Sequence, residues 1–289
     1  MACIILCCYS LFTRTKPFVS LIHLIGSEGF IGKAIQRQTI SSSLHCWSHT
    51  SLKSENSFDL TNQNSWQSIL KHKPKTVILL SWPGLPNYNN PSHITKNLPA
   101  TINLIEHLIC CGLKRIVVAG SCYEYGLQNG EMSEYQHTDP VNCYAIAKDS
   151  LRRAVTYLCA QSNTNLAWLR IFYPYGEGQN PSSLLPSLEN AIKAKEIFFS
   201  ISSGRQLRDF ISVENVAYKL LLLATHPRAA GVYNAGSGKP RSIREILESR
   251  IKSLGSQIIL KTGDIPDRLD EPLASWAGLE RWQNLSLPV

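Results

Sequence analysis

Apolar residues gather along the chain into short continuous runs, separated by longer stretches with helical spacing. The first full run, "SLIHLIG" from Ser20, reads as a buried strand beginning near Leu21; it turns through glycines and continues as the helix "FIGKAIQRQ". Later runs, "TVILLSW", "RIVVAGS" and "NLAWLRIFYPYG", repeat the signature of a buried strand. Between them lie helices such as "LPATINLIEHLICCG", where Ile102, Ile105, Leu108 and Ile109 share a face and Gly112 supplies the stop. Strands alternating with helices predict a parallel sheet covered on both faces. The expected fold class is α/β, a Rossmann-type doubly wound sheet followed by a smaller C-terminal α/β part.

The texture changes near residue 170. Tyr173-Pro174-Tyr175 and "GEGQNPSS" form a Pro/Gly-rich passage, followed by a helix built on Leu184, Leu185, Leu188 and Ile192. A further helix opens at "SIREILESRI", where Ser242 and Glu245 have the spacing of a capping box. The expected organisation is a poorly ordered extension over residues 1–20, a dinucleotide-binding domain over 21–170, and a ligand-binding part over 171–289 that crosses back over the cleft.

Composition narrows this picture only slightly. With 44% apolar and 17% charged residues over 289 positions, the chain is globular rather than disordered. A formal charge of +8 suits a phosphate-bearing ligand. The basic residues are spread without a long cluster, so nucleic acid is not the expected partner. No C-x-x-C pair occurs among the nine cysteines, which points to a reduced, cytoplasmic compartment. His45 and His49 flank Cys46, but that stretch reads as strand or loop, where a four-residue spacing does not align the two rings; no metal site is expected. The opening "MACIILCCYSLF", including the Cys7-Cys8 pair, lacks a basic flank and is too short to span a bilayer, so no membrane segment is expected.

Candidate chemistry concentrates in two places. Gly26, Gly29 and Gly32 form G-x-x-G-x-x-G between a strand and a helix, with Phe30 and Ile31 inside the turn. Gly26 permits the tight turn, Gly29 admits a pyrophosphate to the backbone, and Gly32 allows close helix–sheet packing, while the helix N-terminus meets the phosphate charge. The acid that holds the ribose of NAD about twenty residues further on is missing until Glu55. His49 and Lys53 could face a 2′-phosphate, so NAD and NADP both remain open. In "NCYAIAKDSLRRAV" a helix puts Tyr144 and Lys148 four apart on one face. A neighbouring ammonium favours the phenolate, which would make Tyr144 a usable acid/base.

The glycine turn, Ser121 after a strand and Tyr144-x-x-x-Lys148, in that order, resemble the extended short-chain dehydrogenase/reductase superfamily. The closer resemblance is to its NAD-dependent epimerase/dehydratase branch, which acts on nucleotide sugars. "FDLTN", "LRIFYPYGEGQ", "GRQLRDFISVENVA", "GVYNAGSGKPRSIREI" and "DRLDEP" extend it over nearly the whole chain from about residue 20. The resemblance implies that Ser121 bonds the reacting sugar oxygen, that Tyr144 is the acid/base, and that Lys148 orients the cofactor ribose. It further implies Asp59 and Leu60 beside adenine, Asn97 near the cofactor, and Tyr173, Arg208 and Arg268 on the substrate. A guanidinium fork suits diphosphate oxygens, although Arg208 could instead pair with the adjacent Asp209.

Departures from the family pattern bear on the reaction. Members that remove water follow the Ser/Thr with Asp-Glu, whereas Cys122 and Tyr123 stand here. Glu124 comes one residue late, and strand alternation would turn it to the other face; dehydration is therefore disfavoured. The family's His-x-Ala is replaced by "LLSWPGLPNY", in which Trp82, Pro83 and Pro86 reshape the nicotinamide side. Tyr173 stands where an asparagine is usual. The expected activity is an NAD(P)-dependent reductase or epimerase of a nucleotide-diphosphate sugar, acting at C4, and the resemblance is compatible with a homodimer. The alternative is a non-catalytic NAD(P)-binding regulator or RNA-associated module on the same fold, against which the intact Ser121, Tyr144 and Lys148 argue.

Overall fold

The computed structural model describes residues 21–49 and 56–286. The extension expected over residues 1–20, the Cys7-Cys8 pair, Lys53 and Glu55 all lie outside the described residues. The first half carries β1 (Ile22–Ile25), α1 (Phe30–Gln38), β2 (Leu44–Trp47), α2 (Gln63–Lys71) and β3 (Thr76–Leu79). It continues through α3 (Leu98–Cys110), β4 (Arg115–Ser121), β5 (Gly130–Met132), α4 (Cys143–Gln161) and β6 (Asn165–Ile171). Next come β7 (Tyr173–Tyr175), α5 (Leu184–Lys193), β8 (Phe198–Ile201), β9 (Leu207–Arg208), β10 (Phe210–Ser212) and α6 (Val213–Thr225). The chain then forms β11 (Gly231–Ala235), β12 (Arg241–Ser242), α7 (Ile243–Ser253), β13 (Ile259–Thr262), β14 (Ala274–Ala277) and α8 (Glu280–Ser286).

Six strands form a parallel sheet in the order β11-β6-β4-β3-β1-β2. The order reverses between β1 and β3, which opens a crevice at the carboxyl ends of those strands. Consecutive side chains of each strand feed opposite cores, as the pleat requires. Leu24 and Val117 join Ala34 and Ile35 of α1 and Val216 and Leu220 of α6. Ile25 and Val118 join Trp66 of α2, Leu104 and Leu108 of α3, and Leu151 and Val155 of α4. The sheet is thus doubly wound, as the alternation of strands and helices implied. On α3 the buried line runs through Thr101, Leu104, Ile105 and Leu108, with Ile102 and Ile109 flanking it half-buried. Gly112 ends this helix at φ +89°.

The C-terminal half does not separate cleanly at residue 170, because α6 and β11 return to complete the central sheet. The remainder builds a sheet in the order β12-β9-β14-β5, and a β8–β13 pair that packs with α5 and α7 around Leu188, Ile201, Leu247 and Ile258. Ser242 and Glu245 form the capping box read from the sequence.

His45 belongs to an aromatic cluster. Its ring stacks at 5.1 Å on His23 and at 4.5 Å on Trp47, and meets the edge of His72 at 4.5 Å. His23 accepts the Trp47 indole N–H at 3.2 Å and is buried. Burial, then the neighbouring His45 and His72, lowers its pKa from 6.5 to about 4. Unfolding therefore takes up a proton at His23 in that window. The His23 contribution is complete above pH 6.5 and lost as the pH falls towards about 4, a loss of about 3 kcal/mol. Urea unfolding at pH 7.5 and 4.5 should show this drop in the wild type and a much smaller one in His23→Gln, which keeps an acceptor for Trp47. An equal drop in both would assign the acid sensitivity to another group.

Candidate active site

The crevice begins at the glycine turn. Gly26 adopts φ +93°, and a Cβ there would lie 2.8 Å from the backbone nitrogen of Ser81, at the end of β3. Its N–H donates to the Trp47 carbonyl at 2.8 Å, which anchors the turn on β2. Gly29 caps α1 without a side-chain bond, and no acidic residue occupies the first turn. A Cβ on Gly29 would meet only the Gly26 carbonyl oxygen, at 3.4 Å. The outer side of this helix end is thus open to an anion. At Gly32 a Cβ would overlap the carbonyl oxygen of Gly26, so the tight contact is helix against turn rather than helix against sheet. Gly32→Ala should overpack the turn by about 1–3 kcal/mol. A lowered thermal midpoint with unchanged helical circular dichroism at low temperature would show it, and an unaltered midpoint would refute it.

The other residues assigned to this side have mixed placements. Phe30 and Ile31 are half-buried against the α1–α6 core. The Asp59 carboxylate accepts the N–H and hydroxyl of Thr61, each at 2.8 Å, with His49 3.9 Å away. Leu60 is a core side chain packed with Trp66. Asn97 lies in a π-helical turn, His93–Asn97, and donates its amide to the Pro83 carbonyl at 2.8 Å. It therefore pins the loop after β3.

Ser121, Tyr144 and Lys148 do come together. Ser121 ends β4, Tyr144 and Lys148 lie in the first turns of α4, and all three are less than a tenth exposed. The helix start is fixed because the Asn142 side chain accepts the Ala145 N–H at 2.9 Å and the Tyr144 N–H donates to the Tyr88 carbonyl at 2.9 Å. Burial raises the Tyr144 phenol above its ordinary range, while a hydrogen bond with Ser121 pulls the other way. The Lys148 ammonium donates to the Ala119 carbonyl at 3.0 Å, and burial brings its pKa down to about 7. Desolvation thus outweighs the expected stabilisation of a phenolate in the free protein.

Beyond Ser121 the strand gives way to a 3₁₀ turn, Cys122–Tyr125, and this revises the reading of Glu124. Alternation no longer applies there. The Glu124 carboxylate folds back to accept the Ser121 N–H at 2.8 Å, the Trp168 indole at 2.9 Å and Arg170 Nε at 2.8 Å. It is buried among Ser121, Trp168 and Arg170, and it holds Ser121. The Ser121-x-x-Glu124 spacing is a capping box that the sequence carries locally, whereas the Trp168 and Arg170 partners lie on β6, more than forty residues on.

A second group lies on the C-terminal side. Arg208 is buried and pairs with Glu271 at 3.0 Å, not with Asp209. The exposed Arg268 reaches the other oxygen of Glu271 at 2.9 Å. Asp209 instead accepts backbone N–H groups from Ser237, Gly238 and Ala277. The Tyr173 ring lies 5.3 Å from the Arg208 guanidinium. Ring contacts link the two groups, from Tyr144 to Tyr88 at 5.6 Å, Tyr88 to Tyr123 at 5.1 Å and Tyr123 to Tyr173 at 6.3 Å. Tyr88 was not singled out from the sequence, since nothing in its local pattern marks a loop tyrosine as a cleft residue. Among the described residues no group of His, Cys, Asp and Glu could hold a metal ion, and no helix is long and apolar enough to cross a membrane.

This crevice, glycine turn and Ser–Tyr–Lys group define a nucleotide-binding α/β protein of the short-chain dehydrogenase type. The chain belongs to the NAD dependent epimerase/dehydratase family, whose model matches residues 22–236. It is 27% identical over 208 residues to dTDP-6-deoxy-L-talose 4-dehydrogenase (NAD(+)) of Aggregatibacter actinomycetemcomitans, covering 72% of this chain and 76% of that one. It also resembles MoeE5 in complex with UDP-glucose and NAD, with a TM-score of 0.80, 27% identity and 91% of each chain covered. The UDP-N-acetylglucosamine 4-epimerase of Methanobrevibacter ruminantium M1 shares the fold, with a TM-score of 0.82 at 23% identity, over 93% of this chain and 92% of that one.

Proposed function

We propose that this chain is an NAD(P)-dependent reductase or epimerase of a nucleoside-diphosphate sugar, working at C4 with Tyr144 as acid/base. The observation that carries this reading is the convergence of Ser121, Tyr144 and Lys148 at the end of β4, on the same carboxyl edge of the sheet as the glycine turn. The similarity to the talose dehydrogenase and to MoeE5 supports the same kind of substrate. The open N-terminus of α1 fits a pyrophosphate, with Gly29 leaving room for it. When bound, the nicotinamide supplies the hydride acceptor or donor.

The protein's own groups handle the proton and the sugar. The Ser121 hydroxyl steadies the C4 oxygen, and the Tyr144 phenol exchanges a proton with it. Lys148, in its charged form, holds a ribose hydroxyl and favours the phenolate. Arg208 and Arg268 share the single carboxylate of Glu271, which leaves a net positive charge for the substrate diphosphate. Loss of water is disfavoured because no carboxyl occupies the positions after Ser121. Burial pushes the Cys122 thiol up to about 12, the Tyr123 phenol is likewise raised, and Glu124 is engaged by Arg170 and Trp168.

The test is turnover of dTDP- and UDP-linked 4-keto and 4-hydroxy sugars with each of the two cofactors, followed by nicotinamide absorbance and by NMR of the sugar. Net oxidation or reduction identifies a dehydrogenase or reductase; inversion at C4 without net cofactor change identifies an epimerase. Tight cofactor binding with no change in any sugar would overturn this reading in favour of the binding module.

A further inference from the structure

Trp82 lies in the loop that follows β3, within the stretch that replaces the family's His-x-Ala. Its indole face lies 3.9 Å from Lys148 Nζ, and its ring meets that of Tyr144 edge to face at 6.2 Å. The orientation is fixed from behind. The Trp82 N–H donates to His93 Nδ1 at 3.1 Å, and the buried His93 donates from Nε2 to the Asn87 carbonyl at 2.8 Å. Nδ1 is thus held on the indole and Nε2 on the backbone carbonyl, which fixes the ring's orientation. The Asn97 amide on the Pro83 carbonyl ties the same loop to the start of α3.

Few other groups act on the ammonium. From β4 it meets the Ala119 carbonyl at 3.0 Å. Within α4 the Tyr144 ring centre is 5.9 Å away, and the Asp149 carboxylate is engaged by Arg152 and Arg153. From the 3₁₀ turn, Glu124 is the charged group that acts on it, with its carboxylate committed to Arg170, Trp168 and the Ser121 N–H and 3.7 Å from Arg152 of α4. The neighbouring Cys122 thiol is neutral, since burial raises its pKa to about 12. A buried ammonium without a directly bonded carboxylate tends to lose its proton, and burial does lower Lys148 to about 7. An aromatic face opposes that tendency through its quadrupole.

We propose that Trp82 is a positioning residue for Lys148: its π-face keeps the lysine charged and in place beside Tyr144, and so sets the upper pH limit of the Tyr144–Lys148 pair. The effect of Trp82 on the pair's chemistry rests on the proposed function; its hold on the lysine does not. The sign follows from the titration. The charged fraction of Lys148 falls as pH rises through its pKa, so a variant that lowers the pKa loses the working form at lower pH. Trp82→Leu fills much of the space without a quadrupole and should lower the Lys148 midpoint by about one unit. Trp82→Phe, which keeps a weaker π-face but loses the N–H bond to His93, should give a midpoint between those of Trp82→Leu and the wild type.

The midpoint is read by NMR titration of protein labelled with [13Cε]lysine, the Lys148 signal being the one absent from Lys148→Met. If Trp82→Leu fails to fold, wild-type protein with fluorinated tryptophans replaces it, because fluorination weakens the π-face with little change in shape. The expected result is a midpoint that falls with Trp82→Leu and with each added fluorine, and an alkaline limb of kcat/KM that moves with it. An unchanged midpoint would overturn the proposal and leave Trp82 as packing. The midpoint needs no turnover. A shifted midpoint in a protein that turns over no sugar would therefore keep the Trp82–Lys148 contact and overturn the proposed function instead.

Discussion

Tyr144→Phe is expected to lower kcat by about 10²–10⁴-fold, the usual range for loss of a general acid/base, while the folded state stays intact. The substitution deletes one oxygen and keeps the ring. The ring contacts with Trp82, Tyr88 and His93 therefore survive, as does the backbone bond to the Tyr88 carbonyl. The phenol gives up only its hydrogen bond with Ser121, because Lys148 bonds the Ala119 carbonyl instead. Cofactor affinity, measured by quenching of tryptophan fluorescence, should change little, and the thermal midpoint should stay close to that of the wild type. Retention of more than about a tenth of the wild-type kcat would remove Tyr144 from the proton path. A fall in kcat accompanied by a large fall in thermal midpoint would instead mean that the oxygen is structural.

The parts of this site that could be read in the sequence share one property: local geometry fixes them. The glycine turn lies between a strand and a helix that are both visible in the apolar pattern, and Tyr144 and Lys148 are one helical turn apart. What could not be read depends on partners distant along the chain. Arg208 and Asp209 are adjacent, so an ion pair between them was a natural guess. The backbone sends them to different places, Arg208 to Glu271 and Asp209 to the Ser237–Gly238 turn. Trp82 was read as reshaping the cleft, but that it covers Lys148 follows only from how the β3 loop folds around His93. The alternation rule failed at Glu124 because β4 ends at Ser121 and a turn of different period takes over. A single-residue extrapolation past a strand end carries no information about direction.

Glu124 is also where the largest stability effect is expected. Its carboxylate is fully buried, and it is the acceptor for Arg170, whose guanidinium is equally buried. Glu124→Leu removes the anion and leaves that guanidinium unpaired, which costs about 3–5 kcal/mol. In a chain of this size that lowers the thermal midpoint by on the order of 10 °C. Pairing it with Arg170→Met removes both charges. The double variant should recover much of the loss, since replacing a buried ion pair by apolar side chains is often close to neutral. Recovery stays incomplete because the Trp168 indole N–H, 2.9 Å from Glu124, still lacks its acceptor. Turnover should not return with the stability, because the Ser121 N–H has also lost its capping carboxylate. Calorimetry and kinetics on the two single variants and the double variant separate these effects. A double variant that regained both stability and activity would show that Glu124 serves only to neutralise Arg170, its 3.7 Å contact with Arg152 and its bond to Ser121 being dispensable. Stability regained without activity would show that the carboxylate also sets the position of the serine.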